Sequence, residues 1–275
     1  MRVAAIGDNC IDVYPELDKA YPTGNAVDFA VNMLKLGMPT AMIGVTGNDA
    51  SGRWMRDVLA REGLDTSRFR AGDGPTAIAY LEMDGHECLH VRYLEGVLSG
   101  VRYADDQIAF AATHDLIHST PWGHIDQHLP ALKANGALLS FDYSNRPSSP
   151  EVGRSLPFVD YAFFSMSGRA EEAPSVVRAA VARGPRVAVA TLGREGSLAW
   201  DGATFYRQGI VPAEVVNTVG GGDSFIAGFM HATLRDADVP EALAAGARLA
   251  ARVIGVFGPW IGAEIGRAPA EIGPL

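Results

Sequence analysis

Asn217-Thr218-Val219-Gly220-Gly221-Gly222-Asp223-Ser224-Phe225 is the stretch around which the rest of the chain is organised. Three consecutive glycines precede an acid, and an apolar run follows through Ile226, Ala227, Phe229 and Met230. Phe225, Phe229 and Ala232 recur at helical spacing, which predicts that the glycines open a helix. Ile210, Val211, Val215 and Val216 predict a strand leading into it. A helix N-terminus carries unpaired N–H groups and the positive end of the dipole, and glycine lets a ligand come close to the backbone. The place therefore suits an anion, most simply a phosphate. Asp223 is out of keeping with that, because a carboxylate repels phosphate. One reason to keep it is to take a proton from a group that attacks the phosphate, which makes this a phosphoryl-transfer site with Asp223 as general base. The other reading is a Gly-rich turn with an ordinary first-turn acid, since such turns are common.

The chain has 275 residues, 48% of them hydrophobic and 20% charged, which fits one large α/β domain with a substantial core. A net charge of −9 argues against nucleic acid or an anionic membrane surface as partner. ATP remains compatible, because backbone amides and a metal ion can manage the local charge. Cys10 and Cys88 make no disulfide framework, so a reducing cytoplasm is the expected setting. No apolar run reaches membrane-spanning length, and Met1 to Gly7 enters a strand-like run without a cleavable signal pattern.

Val3 to Ile6 predicts a buried strand, and the alternation in Cys10 to Tyr14 a half-exposed one. Pro22-Thr23-Gly24-Asn25 punctuates the chain before a helix through Val27, Ala30, Val31 and Leu34, closed by Gly37. A strand over 40–45 and a helix over 51–61 follow. Residues 76–83 and 87–93 alternate around Asp84-Gly85, which predicts a β-hairpin in a separate small sheet. Beyond it, strands are expected at 115–118, 137–141, 161–164, 187–191, 197–200 and 204–206. Helices are expected at 125–133, 171–182, 223–234 and 240–256. Such alternation predicts a mainly parallel sheet covered on both faces, with ligands gathered at the carboxyl ends of its strands. The tail after Gly258, rich in Gly, Ala and Pro, is expected to be weakly ordered.

His86-Glu87-Cys88-Leu89-His90 matches the pattern of a zinc peptidase, but that chemistry needs a helix. On a strand, positions four apart are separated by roughly 13 Å, which zinc–nitrogen bonds of about 2 Å cannot span. No metal site is expected here. The pairs His114/His118 and His124/His128 read as surface or packing histidines, although His118 and His124 fall near strand-end loops. Thr191-Leu192-Gly193-Arg194-Glu195-Gly196 suits either a nucleotide border or a plain hairpin. Neither a Gly-x-Gly-x-x-Gly helix start nor a Walker A sequence occurs, and no Gly-x-Ser-x-Gly elbow supports a hydrolase. Asp8, Asp12, Asn25 and Asp28 crowd around turns, either as surface caps or as a hydroxyl-binding group for a polyol or sugar. Arg92 and Glu95 flank the end of the hairpin and could hold a zwitterionic group.

Together these stretches resemble the ribokinase or PfkB family of carbohydrate kinases over almost the whole chain. Asn217 to Asp223 is similar to the family's Asp-Thr-x-Gly-Ala-Gly-Asp, and Thr23 to Asp28 to its Gly-Gly-x-x-x-Asn. Gly44, Gly47, Asp49 and Gly52, then Thr191, Gly193 and Gly196, fall in the family's order. Within the family, Gly7 to Pro15, Trp122-Gly123-His124, Tyr93 to Val97 and Phe141-Asp142-Tyr143-Ser144 most resemble the fructoselysine 6-kinases.

The resemblance implies one domain over 1–275, with a Rossmann-type three-layer core and a β-sheet lid from roughly 10–23 and 75–100. It also implies ATP with Mg²⁺ as the phosphate source and transfer to a sugar hydroxyl. The expected acceptor is the 6-hydroxyl of fructoselysine or a related Amadori compound. Asp223 would be the base, and the N–H groups of Gly220, Gly221 and Gly222 the anion hole. Asp12, Gly24, Asn25 and Asp28 would contact the sugar, and Thr191, Gly193 and Gly196 would border the nucleotide. Lids of the family often pair, so a homodimer through the lid is expected. Four positions depart from the pattern. Asn217 replaces Asp, which leaves a monovalent-cation site there open. Gly221 replaces Ala, which the turn should tolerate. Thr23 replaces the first Gly and Asp28 the Asn, and a carboxylate at position 28 could favour a substrate bearing an amine. Ser165 and Gly168 stand where many members have the Asn and Glu of a motif linked to Mg²⁺ and phosphate. A free sugar or nucleoside as acceptor, or a sugar-binding homologue impaired in catalysis, are the alternatives.

Overall fold

The structure, a computed structural model, describes residues 1–267. The first half of the chain runs β1 (Val3–Ile6), β2 (Cys10–Tyr14), β3 (Lys19–Thr23), α1 (Asn25–Lys35), β4 (Thr40–Gly47), α2 (Ala50–Glu62), β5 (Phe69–Gly72), β6 (Ile78–Asp84), β7 (Glu87–Leu94) and α3 (Asp105–Ala111). It continues with β8 (Leu116–Ser119), α4 (Leu129–Ala134), β9 (Leu138–Asp142), α5 (Pro150–Ser155), β10 (Tyr161–Ser165) and α6 (Ala173–Val181). The chain then forms β11 (Val187–Thr191), β12 (Ser197–Trp200), β13 (Phe205–Gln208), α7 (Gly221–Thr233) and α8 (Val239–Val253).

Nine strands form the main sheet in the order β13-β12-β11-β10-β9-β8-β1-β4-β5. Pairing is parallel from β5 through β11, and β12 and β13 add an antiparallel edge. Alternation along the strands builds two cores. Val3, Ala5, Leu116, Phe163 and Val189 face α1, α2, α7 and α8. Ala4, Ile6, Ile117, Phe164 and Ala190 face the side covered by α3 to α6. This is the expected three-layer α/β arrangement. A second sheet, in the order β3-β2-β6-β7, holds the hairpin.

Several elements differ from expectation. β2 is buried at all five positions, because its two faces serve different cores: Ile11 and Val13 join the main one, Cys10 and Tyr14 a small one with Tyr21, Ala79 and Leu81. β3 carries Pro22, which read as punctuation; it is tolerated because β3 is the edge of the second sheet and needs no full ladder. β5 is a short edge strand and carries no long apolar run. Residues 210–216 form no strand. Ile210 and Val216 are exposed, and the Ile254 carbonyl at the end of α8 accepts from Val216 N–H (2.8 Å).

The tail is also better anchored than its composition suggests. Trp260 is fully buried and donates its indole N–H to Glu62 (3.0 Å). Gly266 and Ala20 exchange backbone hydrogen bonds of 2.7 and 2.8 Å. Residues 268–275, the end of the stretch expected to be weakly ordered, lie outside the described residues.

Candidate active site

The carboxyl ends of the parallel strands deliver the polar groups, as the topology requires. β1 and β8 are neighbours whose connections leave in opposite directions, and the crevice opens between them. Across it Thr120 Oγ1 donates to Asp8 (2.6 Å), and Ser119 Oγ donates to the Ile6 carbonyl (2.7 Å). Asp142 ends β9, Ser165 ends β10 half-buried, and Thr191 ends β11.

Two helix starts face this edge. Asn25 opens α1, and its N–H donates to Asp8 (2.8 Å). The preceding Gly24 has φ 130°, and a Cβ there would lie 2.6 Å from the Asp8 carbonyl oxygen, so the close approach of the two loops demands glycine. α7 begins at Gly221 behind Gly220, which sits in the left-handed region at φ 70°. Residues 223–230 of α7 are all buried, which fits a helix that is apolar on every side. Gly221 donates its N–H to Thr218 (3.2 Å), whereas the N–H groups of Gly220 and Gly222 have no backbone partner among the described residues. A Cβ on Gly222 would meet no atom within 4 Å. Open space therefore adjoins the dipole end of α7.

Five buried aspartates gather here: Asp8, Asp12, Asp28, Asp142 and Asp223. Among the described residues none of them is in an ion pair with a Lys, Arg or His. Burial is the largest cause raising every one of their pKa values. Asp12 is pushed up to about 7, with the Cys10 thiol pulling partly the other way. Asp142 is pushed up to about 6, and its bond from Ser144 N–H (2.8 Å) offsets part of the rise. Asp223 is raised well above the carboxylate range, first by burial and then by the charges of Asp142 and Asp8. Asn25 faces both Asp142 and Asp223 and lowers each somewhat. The Oδ1 atom of Asp223 is buried and has no hydrogen-bond partner. An unpartnered carboxyl oxygen thus lies at the start of α7.

Asp12 supports a direct test of this electrostatic picture. A carboxyl whose pKa rises on folding keeps its proton in the native state where the unfolded chain has lost it. Its contribution to stability is full below about pH 4 and is lost as pH climbs through 7. Relative to wild type, Asp12→Asn should gain nothing near pH 4 and on the order of 4 kcal/mol above pH 7. His118, held neutral by burial with its pKa near 3, acts in the opposite sense, so the difference between paired melts isolates Asp12. A difference that stays flat from pH 4 to 8 would reject the assignment.

Asp12, Gly24, Asn25, Asp28, Gly220 to Gly222 and Asp223 therefore fall in one region. Arg92 does not join them: it is exposed, with its guanidinium 5.9 Å from the Tyr80 ring centroid. Neighbours on a strand point to opposite faces. Tyr93, paired with Ala79, points to the site side, where burial and then the charges of Cys10, Asp8, Glu95 and Asp12 raise its hydroxyl. Glu95 is exposed just beyond β7. The glycines of the 191–196 segment are explained by the turn itself, since a Cβ on Gly196 would lie 2.1 Å from the Gln208 carbonyl oxygen.

His86-Glu87-Cys88-Leu89-His90 lies in the hairpin, with Glu87 to His90 on β7. The His86 carbonyl accepts from Thr218 N–H (3.2 Å), and the Cys88 thiol donates to Asn217 Oδ1 (3.1 Å). Asn217 Oδ1 also holds Val219 N–H (2.8 Å), so this side chain ties the hairpin to the glycine loop. His118 is a core residue stacked on Phe29 with ring centroids 3.9 Å apart, and His124 is exposed in a loop. Asp142 and Tyr93 lie in stretches that carry the family resemblance, but sequence reasoning gave neither a role in the site. The alternation of β7 was the available signal for Tyr93; for Asp142 it was the resemblance of Phe141 to Ser144, since a lone acid at a strand end gives no signal of its own.

The chain matches the pfkB family carbohydrate kinase profile over residues 3–118 and 133–264. It is 38% identical over 258 residues to the fructoselysine 6-kinase of Escherichia coli (strain K12), covering 94% of this chain and 99% of that one. It is 34% identical over 263 residues to the fructosamine kinase FrlD of Bacillus subtilis (strain 168), covering 94% and 92%. In fold it is similar to a ribokinase of Arabidopsis thaliana solved with ribose and ATP, at a TM-score of 0.82, 22% identity and coverage of 94% and 93%. The chain belongs to the PfkB family of carbohydrate kinases and is a sugar kinase.

Proposed function

We propose that the chain transfers the terminal phosphoryl group of ATP to the 6-hydroxyl of fructoselysine or a closely related sugar–amine conjugate, with Asp223 as general base. The carrying observation is the buried, unpartnered oxygen of Asp223 beside the open glycine start of α7. The acceptor hydroxyl gives its proton to Asp223 as it attacks. Charge developing on the phosphoryl oxygens meets the free N–H groups and the dipole of α7. Asp12, Asp28 and Asn25 orient the sugar hydroxyls, and the 191–196 turn borders the nucleotide. An acidic pocket without a paired cation suits an acceptor that brings its own ammonium group, in keeping with the names of the relatives.

The phosphate end of ATP fits the space beside Gly222. Among the described residues no group of three or more His, Cys, Asp or Glu side chains is arranged to hold a metal, so Mg²⁺ would enter on the phosphates and neutralise part of their charge. Asn217 gives its oxygen to Val219 N–H and the Cys88 thiol, which disfavours a monovalent cation there.

We assign the second sheet the role of lid. β7 is its edge, and the exposed Leu89, Val91 and Leu94 make that edge the surface for a homodimer. Both cysteines are free, in keeping with a cytoplasmic setting, and no helix among the described residues is long and apolar enough to cross a membrane. The partner is a small molecule rather than nucleic acid.

A coupled assay with ATP across fructoselysine, other Amadori compounds, fructose, ribose and nucleosides tests the acceptor. Fructoselysine should give the highest kcat/KM. Phosphorylation of ribose or a nucleoside alone would move the enzyme to another acceptor. No turnover with any of them would favour a sugar-binding homologue, the reading that the changes at Asn217, Asp28 and Ser165 motivate.

A further inference from the structure

Thr23 and Asp28 are the two positions at which the chain leaves the family's Gly-Gly-x-x-x-Asn pattern, and they touch. Thr23 Oγ1 lies 2.8 Å from one carboxyl oxygen of Asp28 and 2.9 Å from the other. A hydroxyl has a single proton to give, so an ionised carboxylate would leave one of these short contacts without a hydrogen of its own. Both are satisfied when the carboxyl is protonated. The threonine O–H then donates to the carbonyl oxygen and the acid O–H donates back to Oγ1, a closed pair that acids and alcohols readily form.

The surroundings favour the same state. Asp28 sits in the first turn of α1, which packs against α7, whose first turn carries Asp223. Asp12 on β2 and Asp8 after β1 add like charge. On its own helix, Asn32 donates to the Asp28 backbone carbonyl (2.8 Å) and leaves the carboxyl alone. Burial, followed by the charge of Asp223, holds the Asp28 pKa well above the usual range, although an O–H donated by Thr23 pulls partly the other way.

We propose that Asp28 is carried as a neutral carboxylic acid locked by Thr23, a positioning residue that stands in for the family's uncharged Asn and leaves Asp223 as the ionised member of the pair. The threonine and the aspartate are thus one compensated change. Ionisation of Asp28 would set a second negative charge beside the base, repelling the incoming phosphate and raising the proton affinity of Asp223. The inference deepens the kinase reading and rests on it for its kinetic consequences.

Two measurements test it. In infrared difference spectra at pH 7, the carbonyl band of a protonated carboxyl should be lost in Asp28→Asn and kept in Asp223→Asn. The reverse pattern, or loss in both variants, overturns the assignment. No substrate is needed, so inactivity toward every acceptor would sink the kinase reading and leave this result standing. In kinetics, wild-type kcat/KM should fall about tenfold per pH unit above an alkaline limb that Asp28→Asn removes, while the acid limb of Asp223 stays. An alkaline limb unchanged in Asp28→Asn counts against the proposal. Should Asp28→Asn fail to fold, the double variant Thr23→Gly/Asp28→Asn restores the family's own pair and carries both measurements with the same expected outcomes.

Discussion

Asp223→Asn is expected to lower kcat by about 10²–10⁴-fold while leaving the KM for the acceptor within a few-fold. The amide keeps the shape of the side chain at the start of α7 but cannot take the proton of the attacking hydroxyl. Thermal stability should not fall, because the substitution removes a carboxyl whose charge is penalised by burial and by Asp142 and Asp8. Loss of transfer in a folded, acceptor-binding protein separates the chemical role from a structural one. Retention of more than a tenth of the wild-type kcat would mean that another group accepts the proton.

The glycine triplet gives the second large effect, with opposite outcomes at its first and last positions. A Cβ on Gly220 would lie 2.3 Å from the Pro259 carbonyl oxygen, and the residue sits at φ 70°. Gly220→Ala should therefore cost about 2–4 kcal/mol of stability, from backbone strain and displacement of the Pro259 segment. At Gly222 the Cβ would meet nothing within 4 Å, and φ is not in the left-handed region. Gly222→Ala should leave stability unchanged or raise it by up to about 1 kcal/mol. Its methyl group would fill the space proposed for phosphate while leaving the N–H in place, so kcat/KM should drop at least about tenfold, less than the roughly 10²–10³ lost when an anion-hole donor is removed. Gly221→Ala, whose Cβ would meet one Ile254 methyl group at 3.1 Å and no backbone atom, is the mild control. Equal melting and equal activity for the Gly220 and Gly222 variants would contradict this division of roles.

The legible parts of the sequence are those where one local pattern decides the structure. The triplet followed by helical spacing predicted α7, and the Asp-Gly turn between alternating segments predicted β6 and β7. Asp8, Asp12, Asn25 and Asp28 were visible because turn signals surround them. Elements governed by distant partners were not legible. Residues 210–216 are apolar enough for a strand, but their backbone is claimed by the end of α8. The tail has a loop-like composition, yet Trp260 finds a buried slot beside Glu62. Asp142 carries no local mark; only the parallel register of β9 beside β8 and β10 brings it to the carboxyl edge.

The bond between Tyr14 and Asn217 joins groups 203 residues apart in the chain. A similar separation divides the acids proposed to bind the acceptor, near the start, from the glycine loop near the end. Contacts of this span are closed late in folding, because the entropy of a long loop must be overcome before they form. An unfinished or partly unfolded chain consequently has either acids to orient a sugar or amides to hold a phosphate, and not both together. On the proposed site, the two halves of the chemistry come together only with the completed fold.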